Sequence, residues 1–282
     1  MLQVPCLYIV ATPIGNLGDI SARAIETLRQ ADYIAAEDTR HSRYLLNHLA
    51  IRRPLVSLHE HNEAERSAEL LLKLKQNKTI ALICDAGTPL ISDPGYLLVR
   101  TVRQNDIPVI PIPGPCALIA ALSASGLDSR RFVFEGFLPE KSAARQKKLT
   151  TLANETRTLI FYEAPHRIVA LLDDLISTVG PSRKLVLARE LTKTFETICE
   201  GTVAEIQTRL TQDTQQQRGE FVVLLTGCDT ITPPTELAKQ RTLALLLAEL
   251  PIRQATRLAA KLTGDNKNRL YQQALLLMGK TT

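Results

Sequence analysis

Three glycine-bearing stretches of this chain, Thr12–Asp19 (TPIGNLGD), Asp85–Gly95 (DAGTPLISDPG) and Pro113–Ala117 (PGPCA), each follow a short apolar run. Glycine permits tight turns and lets main-chain groups come close to a ligand, and open parallel sheets bind ligands at the carboxyl ends of their strands. Taken singly, each stretch reads as a structural turn. Three on one sheet edge point to a binding site. Asp38, Arg40, His59, Glu60 and Glu163 also stand at or just after strand ends. A carboxylate or imidazole there can take a proton, and a guanidinium can stabilise a developing negative charge. Each has a structural alternative: Glu37 and Asp38 form a helix-start charge pair with Arg40, and Glu163 caps the helix after it.

Familiar ligand motifs do not fit. Glu37 and Asp38 lie where the ribose-binding acid of a dinucleotide site belongs, but Gly15-Asn-Leu-Gly18 is not G-x-G-x-x-G. No glycine-lysine-serine/threonine triplet follows a strand, which excludes a P-loop. His59-Glu-His-Asn-Glu63 invites a zinc reading, yet no third clear ligand and no nearby Cys accompany it, so no metal is expected.

The elements that must position these residues alternate through the first half. CLYIVATP, YIAAE, PLVSLHE, TIALICDA and PVIPI read as strands; SARAIETLRQA (Ser21 as N-cap), RHSRYLLNHLA, EAERSAELLLKLKQ and YLLVRTVRQ read as helices. Such alternation predicts a parallel sheet with helices on both faces. Pro111–Ala117, with three prolines and a glycine, reads as an interdomain joint. The second half offers strands at FVFEGFL, TLIFYEA, KLVLARELT, ETICEGT and GEFVVLLTG, with helices at AARQKKLTTLANE, RIVALLDDLISTV and VAEIQTRL. Its late strands have little helix between them, which predicts a mixed sheet. Gln212–Arg218 reads as a polar loop. From Pro233 only helical spacing remains, through TLALLLAEL and IRQATRLAAKL to a Gly-Asp-Asn break and a helix ending at Met278. The expected fold is α/β: two α/β domains, 1–115 with a parallel-rich sheet and 116–232 with a mixed one, a ligand cleft between them, and a helical extension at 233–282.

Composition narrows the class. The 282 residues are 45% hydrophobic, enough for two cores, and only 4% aromatic with no Trp, which argues against a base-stacking platform. Five widely spaced Cys suit neither a disulfide framework nor a zinc knuckle. No run of about 20 apolar residues is present to span a membrane, and no signal peptide is evident, so a cytoplasmic protein is expected. The net charge of +5 is uneven: residues 1–234 hold 26 basic and 26 acidic residues, and 235–282 hold 8 and 3.

The order Tyr8–Ser21 (YIVATPIGNLGDIS), Ala36–Arg40 (AEDTR), the Asp85–Gly95 loop and Pro111–Pro115 (PIPGP) resembles the tetrapyrrole methylase superfamily. His59–Glu63, Phe134–Pro139 (FEGFLP), Phe161–Arg167 (FYEAPHR) and Arg189–Lys193 (RELTK) are similar to one branch of it, which methylates the ribose 2′-hydroxyl of a cytidine in small-subunit ribosomal RNA. The resemblance runs almost end to end. It implies S-adenosylmethionine as cofactor, a metal-independent transfer, ribosomal RNA or the small ribosomal subunit as partner, and a homodimer. Cofactor contacts carried over by motif are Pro13, Ile14 and Gly15; Asp85, Ala86, Gly87, Thr88 and Leu90; Cys116 and Ala117; Tyr162 and Glu163; Glu190 and Leu191. Two loops depart from the pattern, with Pro13-Ile-Gly-Asn16 in place of glycine-proline-glycine-aspartate and the longer Asp85-Ala-Gly-Thr-Pro89 in place of glycine-aspartate-proline.

For such a transfer the candidate catalytic residues are Asp38, Arg40, Glu60 and Glu163, with His59 as a further proton acceptor. His59 and His61 are candidate RNA contacts. Arg253, Arg257 and Lys261 recur at i, i+4 and i+8, on one helix face, and Lys267 and Arg269 follow the Gly264 break; all five are candidate phosphate contacts. Ala260, Gly264 and Leu270 have helix-turn-helix spacing, and a packed helical hairpin is the alternative. Two rival readings remain: methylation of a tetrapyrrole or protein, and a nucleic-acid-binding regulator with an inactive core.

Overall fold

The computed structural model describes residues 4–228 and 236–277. They divide into one compact unit ending at Gly227 and another beginning at Cys228. The expected boundary at 232/233 and the helix end at Met278 lie outside the described residues. No described helix is long and apolar enough to cross a membrane.

The first half of the larger unit alternates as its sequence pattern requires: β1 (Cys6–Val10), α1 (Ala22–Gln30), β2 (Tyr33–Ala36), α2 (Thr39–His48), β3 (Leu55–Ser57), α3 (Glu63–Lys75), β4 (Thr79–Ile83), α4 (Tyr96–Gln104) and β5 (Val109–Ile112). The sheet order is β3-β2-β4-β1-β5, and every pairing is parallel. Central β1 and β4 are nearly continuous apolar runs because both faces are covered. Cys6, Tyr8 and Val10 pack with Leu28 and Leu46 on one face, and Leu7 packs with Leu70, Leu74 and Leu98 on the other. Ser21 caps α1, its hydroxyl accepting from the Ala24 amide at 3.1 Å.

The second half contains α5 (Ala117–Ala124), β6 (Phe132–Phe137), α6 (Ser142–Leu152), β7 (Thr158–Glu163), α7 (Ile168–Val179), β8 (Lys184–Arg189), β9 (Thr197–Thr202), α8 (Val203–Gln212) and β10 (Phe221–Leu225). Its order is β6-β7-β10-β8-β9; β6 pairs with β7 in parallel and the other pairs are antiparallel. One face (Leu159, Phe161, Leu187, Val223) is covered by α7 and α8 through Leu171, Leu175 and Ile206. The opposite face (Ile160, Val186, Val222, Leu224) packs on Leu118 and Leu122 of α5 and on Ile14 of the first half. Helix α5 differs from the sequence expectation, which places no helix here: its residues are apolar on the exposed side too (Ile119, Ala124), so no stripe marks the buried Leu118, Ala121 and Leu122. The polar stretch after α8 forms a 3-10 turn at Thr214–Gln217, capped by Asp213.

The smaller unit is α9 (Glu236–Glu249), α10 (Ile252–Thr263) and α11 (Lys267–Leu277) around Leu243, Ala259, Leu270 and Ala274. Gly264 ends α10 at φ 69°, the left-handed conformation favoured by glycine, and the Asn266 side chain receives the Asn268 amide at 2.8 Å to start α11.

One buried ion pair holds α6 to α7. The Arg145 guanidinium donates to Asp174 at 2.6 Å with both side chains almost fully buried, and Asp174 also receives Ser142 and Gln146. Removing one partner of such a pair strands the other charge. Arg145→Met should therefore cost about 3 kcal/mol or more, measured by urea unfolding. A loss below about 1 kcal/mol would contradict this role.

Candidate active site

The carboxyl ends of β1, β4 and β5 build one wall of a cavity of about 500 Å³. The loop after β1 is tied to the loop after β4 by two backbone hydrogen bonds, Thr12 N to Gly87 O at 2.8 Å and Gly87 N to Thr12 O at 3.1 Å. The Thr12 hydroxyl reaches Cys84 O at 3.2 Å, and the Thr88 hydroxyl reaches Pro115 O at 2.9 Å, adding the turn after β5. Gly87 sits at φ +89°, where a side chain is strained, and a Cβ there would meet Ile14 at 3.4 Å.

The mixed sheet supplies the facing wall from the ends of β6, β7 and β8 and the start of β10. Tyr162 spans the two halves: its hydroxyl accepts from the Leu118 amide of α5 at 3.1 Å, while Phe134 and Phe137 pack edge-on against its ring. Burial pushes its phenol upward. Glu163 is 2% exposed. One carboxylate oxygen receives the Ala164 amide at 2.9 Å and lies 3.0 Å from the Arg167 guanidinium, while the other has no hydrogen-bond partner. Burial raises its pKa. The Glu163 side chain is thus fully buried within the wall of the cavity rather than exposed on its surface.

Glu37, Asp85, Asp93, Glu163 and Glu220 all line this cavity. Burial, with the charges of Asp93, Asp85 and Asp38, pushes Glu37 up to about 7. Burial likewise pushes Asp93 up to about 6, and a hydrogen bond joins the two carboxyl groups. The cavity thus concentrates proton acceptors that titrate near neutrality and favours a cationic ligand.

Of the residues expected to bind cofactor, Ile14, Asp85, Ala86, Gly87, Thr88, Cys116, Ala117, Tyr162, Glu163 and Leu191 line the cavity. Pro13, Gly15, Leu90 and Glu190 do not line it. Gly15 faces the Lys193 stem, and the Glu190 carboxylate receives Lys193 Nζ at 2.8 Å and the Glu220 amide at 3.0 Å. Among the four catalytic candidates the cavity takes in Glu163 alone. Asp38 turns outward to cap α2 and pair with Arg40 at 3.0 Å, the helix-start charge pair that was the alternative. The Arg40 guanidinium holds Asp38 down to about 2, leaving it a weak base. Glu60 and His61 are exposed, and His59 is half-buried against Asn62. Glu63, which belongs to the His59–Glu63 stretch weighed for zinc, receives the Gly95 and Leu97 amides at 3.0 and 2.7 Å and so anchors the start of α4.

In the smaller unit Arg253, Arg257, Lys261 and Lys267 are exposed. Arg269 is exposed too, but it pairs with Glu236 at 2.6 Å and Asp265 at 3.7 Å, joining the starts of α9 and α11. The sequence presents Glu37 only as the acid of a dinucleotide site that does not fit or as a helix-start charge, and does not single out Asp93, although it stands in the Asp85–Gly95 loop. Phe221 and Val222 carried no local signal at all.

Residues 6–207 match the family described as Tetrapyrrole (Corrin/Porphyrin) Methylases, and residues 234–277 match the RsmI C-terminal HTH domain. The chain is 53% identical over 277 residues to the Ribosomal RNA small subunit methyltransferase I of Pseudomonas aeruginosa, covering 98% of each. It is 52% identical over 273 residues to the protein of that name from Escherichia coli O157:H7, covering 97% of this chain and 96% of the relative. Among solved structures, diphthine synthase aligns with TM-score 0.59 at 15% identity, over 78% of this chain and 90% of that one. Uroporphyrin-III C-methyltransferase from Thermus thermophilus, complexed with S-adenyl homocysteine, aligns with TM-score 0.54 at 18% identity, over 78% and 96%. These structures share the fold.

The acids predict a pH dependence. Glu37 binds its proton more tightly folded (about 7) than at its ordinary value of 4.5. The folded state therefore holds the extra proton between those values, and stability falls as pH rises through that window. Glu37→Gln should remove this slope and be more stable than wild type at pH 8 by on the order of 1 kcal/mol after solvent screening. Thermal midpoints of both proteins from pH 4 to 8 check it; a difference that does not grow with pH overturns it.

Proposed function

We propose, from the premise that this chain belongs to the Tetrapyrrole (Corrin/Porphyrin) Methylase family, that it uses S-adenosylmethionine to methylate the ribose 2′-hydroxyl of a cytidine in small-subunit ribosomal RNA. Relatives more than 50% identical along nearly their whole length carry the name Ribosomal RNA small subunit methyltransferase I. The observation that carries the reading is the cavity between the two sheets, whose acids Glu37, Asp85 and Asp93 and apolar patches (Ile14, Leu191, Val222) suit a cation with an apolar body. Glu163 lies buried in the wall beside them, paired with Arg167 and with one oxygen unpartnered.

When bound, the cofactor supplies a methyl group already activated on a sulfonium, so the protein's work is orientation and proton handling. The bridged loops at Thr12 and Gly87 and the turn at Cys116–Ala117 hold one side of the ligand, and β7, β8 and β10 hold the other. The proton that the hydroxyl sheds goes to a cavity carboxylate. Glu163 is the retained candidate, and the Glu37–Asp93 pair joins it because its affinity for protons lies near working pH. Asp38 and Arg40 act as a capping pair beside the site. Arg253, Arg257, Lys261 and Lys267 grip RNA phosphate, while Arg269, paired with Glu236 and Asp265, holds the helices that present them. The enzyme works in the cytoplasm, where its five free cysteines stay reduced, and as a homodimer, as the family resemblance implies.

Labelled S-adenosylmethionine incubated with small ribosomal subunits, followed by mapping of the modified nucleotide, tests the activity; no label in RNA overturns it. Glu163→Gln and Glu37→Gln should each keep cofactor affinity within about tenfold while at least one loses about 100-fold or more in turnover. Turnover within a few-fold in both leaves orientation as the whole of catalysis.

The extension makes a separate prediction. Reversing Arg253, Arg257 and Lys261 to Glu should weaken RNA binding and flatten its salt dependence by about 0.7 per lost phosphate contact, with cofactor binding intact. An unchanged slope in an affinity series over salt rejects the anchor.

A further inference from the structure

The neutral charge count of residues 1–234 hides a local imbalance. Residues 39–59 contain four Arg (Arg40, Arg43, Arg52, Arg53) and three His (His41, His48, His59), and no Asp or Glu. Helix α2 buries Ser42, Leu45 and Leu46. Every other position from 40 to 48 is exposed, and these are Arg40, His41, Arg43, Tyr44, Asn47 and His48. Tyr44 is 70% exposed, a large apolar surface left in water. Arg52 and Arg53 continue the exposed basic surface beyond the helix end.

The helix dipole makes this arrangement costly. Positive side chains in a first turn oppose the positive helix N-terminus, which prefers acids. The first turn of α2, Thr39–Ser42, holds no acid and two basic side chains, Arg40 and His41. Capping by Asp38 offsets part of the cost and pairs with Arg40 only. Placement is the second observation. Helix α2 starts two residues after the cavity residue Glu37, and the amide of its N-cap Asp38 donates to Asp85, another cavity residue, at 3.1 Å. A track of about 15 Å therefore runs from the cavity edge along α2.

We infer that the exposed face of α2, with Arg43, Tyr44, His48 and Arg52, is the docking surface for the single-stranded RNA flanking the methylated nucleotide, its cations on phosphate and the Tyr44 ring stacked on a base. The inference deepens the proposed function, since a ribose can enter the cavity only if its neighbours lie against the adjoining surface. Charge complementarity selects a polyanion, and the exposed ring beside the cations selects one with aromatic bases. An acidic polypeptide meets the first requirement and not the second.

The test uses the full chain, a fluorescein-labelled single-stranded oligoribonucleotide, and a series of potassium chloride concentrations. Arg43→Glu with Arg52→Glu should weaken binding at least tenfold and flatten the logarithmic salt slope by roughly 1.4, about 0.7 for each contact. Tyr44→Ala should weaken binding about fivefold or more with the slope unchanged. Arg43→Lys with Arg52→Lys should restore most of the affinity. Cofactor affinity and thermal midpoint should stay at wild-type values in all variants, because these side chains are exposed. Affinity within twofold of wild type and an unchanged slope in the double Glu variant overturn the surface. Equal competition by polyglutamate and RNA, with Tyr44→Ala silent, overturns its assignment to RNA. Methyl transfer to RNA by the wild type is measured in parallel: its failure rejects the function, whereas transfer with KM unchanged in the variants rejects only the docking face.

Discussion

The two hydrogen bonds between Thr12 and Gly87 join the loops that leave β1 and β4, the adjacent central strands of the parallel sheet. Everything on that side of the cavity hangs from this bridge. It sets Ile14 beside Gly87, and Thr88 carries the tie onward to Pro115 and so to the start of α5. Helix α5 then forms the shared layer between the sheets, with Leu118 and Leu122 against Ile160 and Val222, and Tyr162 accepting the Leu118 amide. Loop position, helix position and the aromatic wall are thus one connected constraint rather than three.

Electrostatics divides this site sharply. Inside the cavity, burial and then neighbouring carboxylates raise the proton affinity of Glu37 and Asp93, an arrangement that costs stability above neutral pH and that a cationic ligand would relieve. Immediately outside, along α2, the exposed side chains are basic, and those of the first turn, Arg40 and His41, stand where the helix dipole prefers acids. Opposed surfaces of this kind suit two ligands of opposite charge meeting at one edge: a sulfonium within and a phosphate backbone without. The buried pair Arg145–Asp174 differs, since its charges are mutually satisfied between α6 and α7 and serve the packing of the mixed sheet.

Much of this protein was legible from local pattern. Apolar runs ending in glycine-bearing turns marked β1, β4 and their loops, because strand burial and turn geometry depend on neighbours in sequence. For the same reason Ser21 was recognisable as a cap, and Gly264 as the break between two helices. What only the tertiary structure decided was direction and adjacency. Glu37 and Asp38 are consecutive acids, and nothing local says that the first enters the cavity while the second turns out to Arg40. The end of β2 and the start of α2 settle it. Helix α5 showed no stripe because its exposed side is apolar as well, with Ile119 and Ala124 opposite the buried Leu118 and Leu122. Phe221 and Val222 reached the site because β10 inserts between β7 and β8, a pairing across more than thirty residues on either side. Sequence alone therefore determined which segments could bear a ligand, since that rests on local conformational preference. The fold decided which side chains face it, since that rests on strand parity and long-range register.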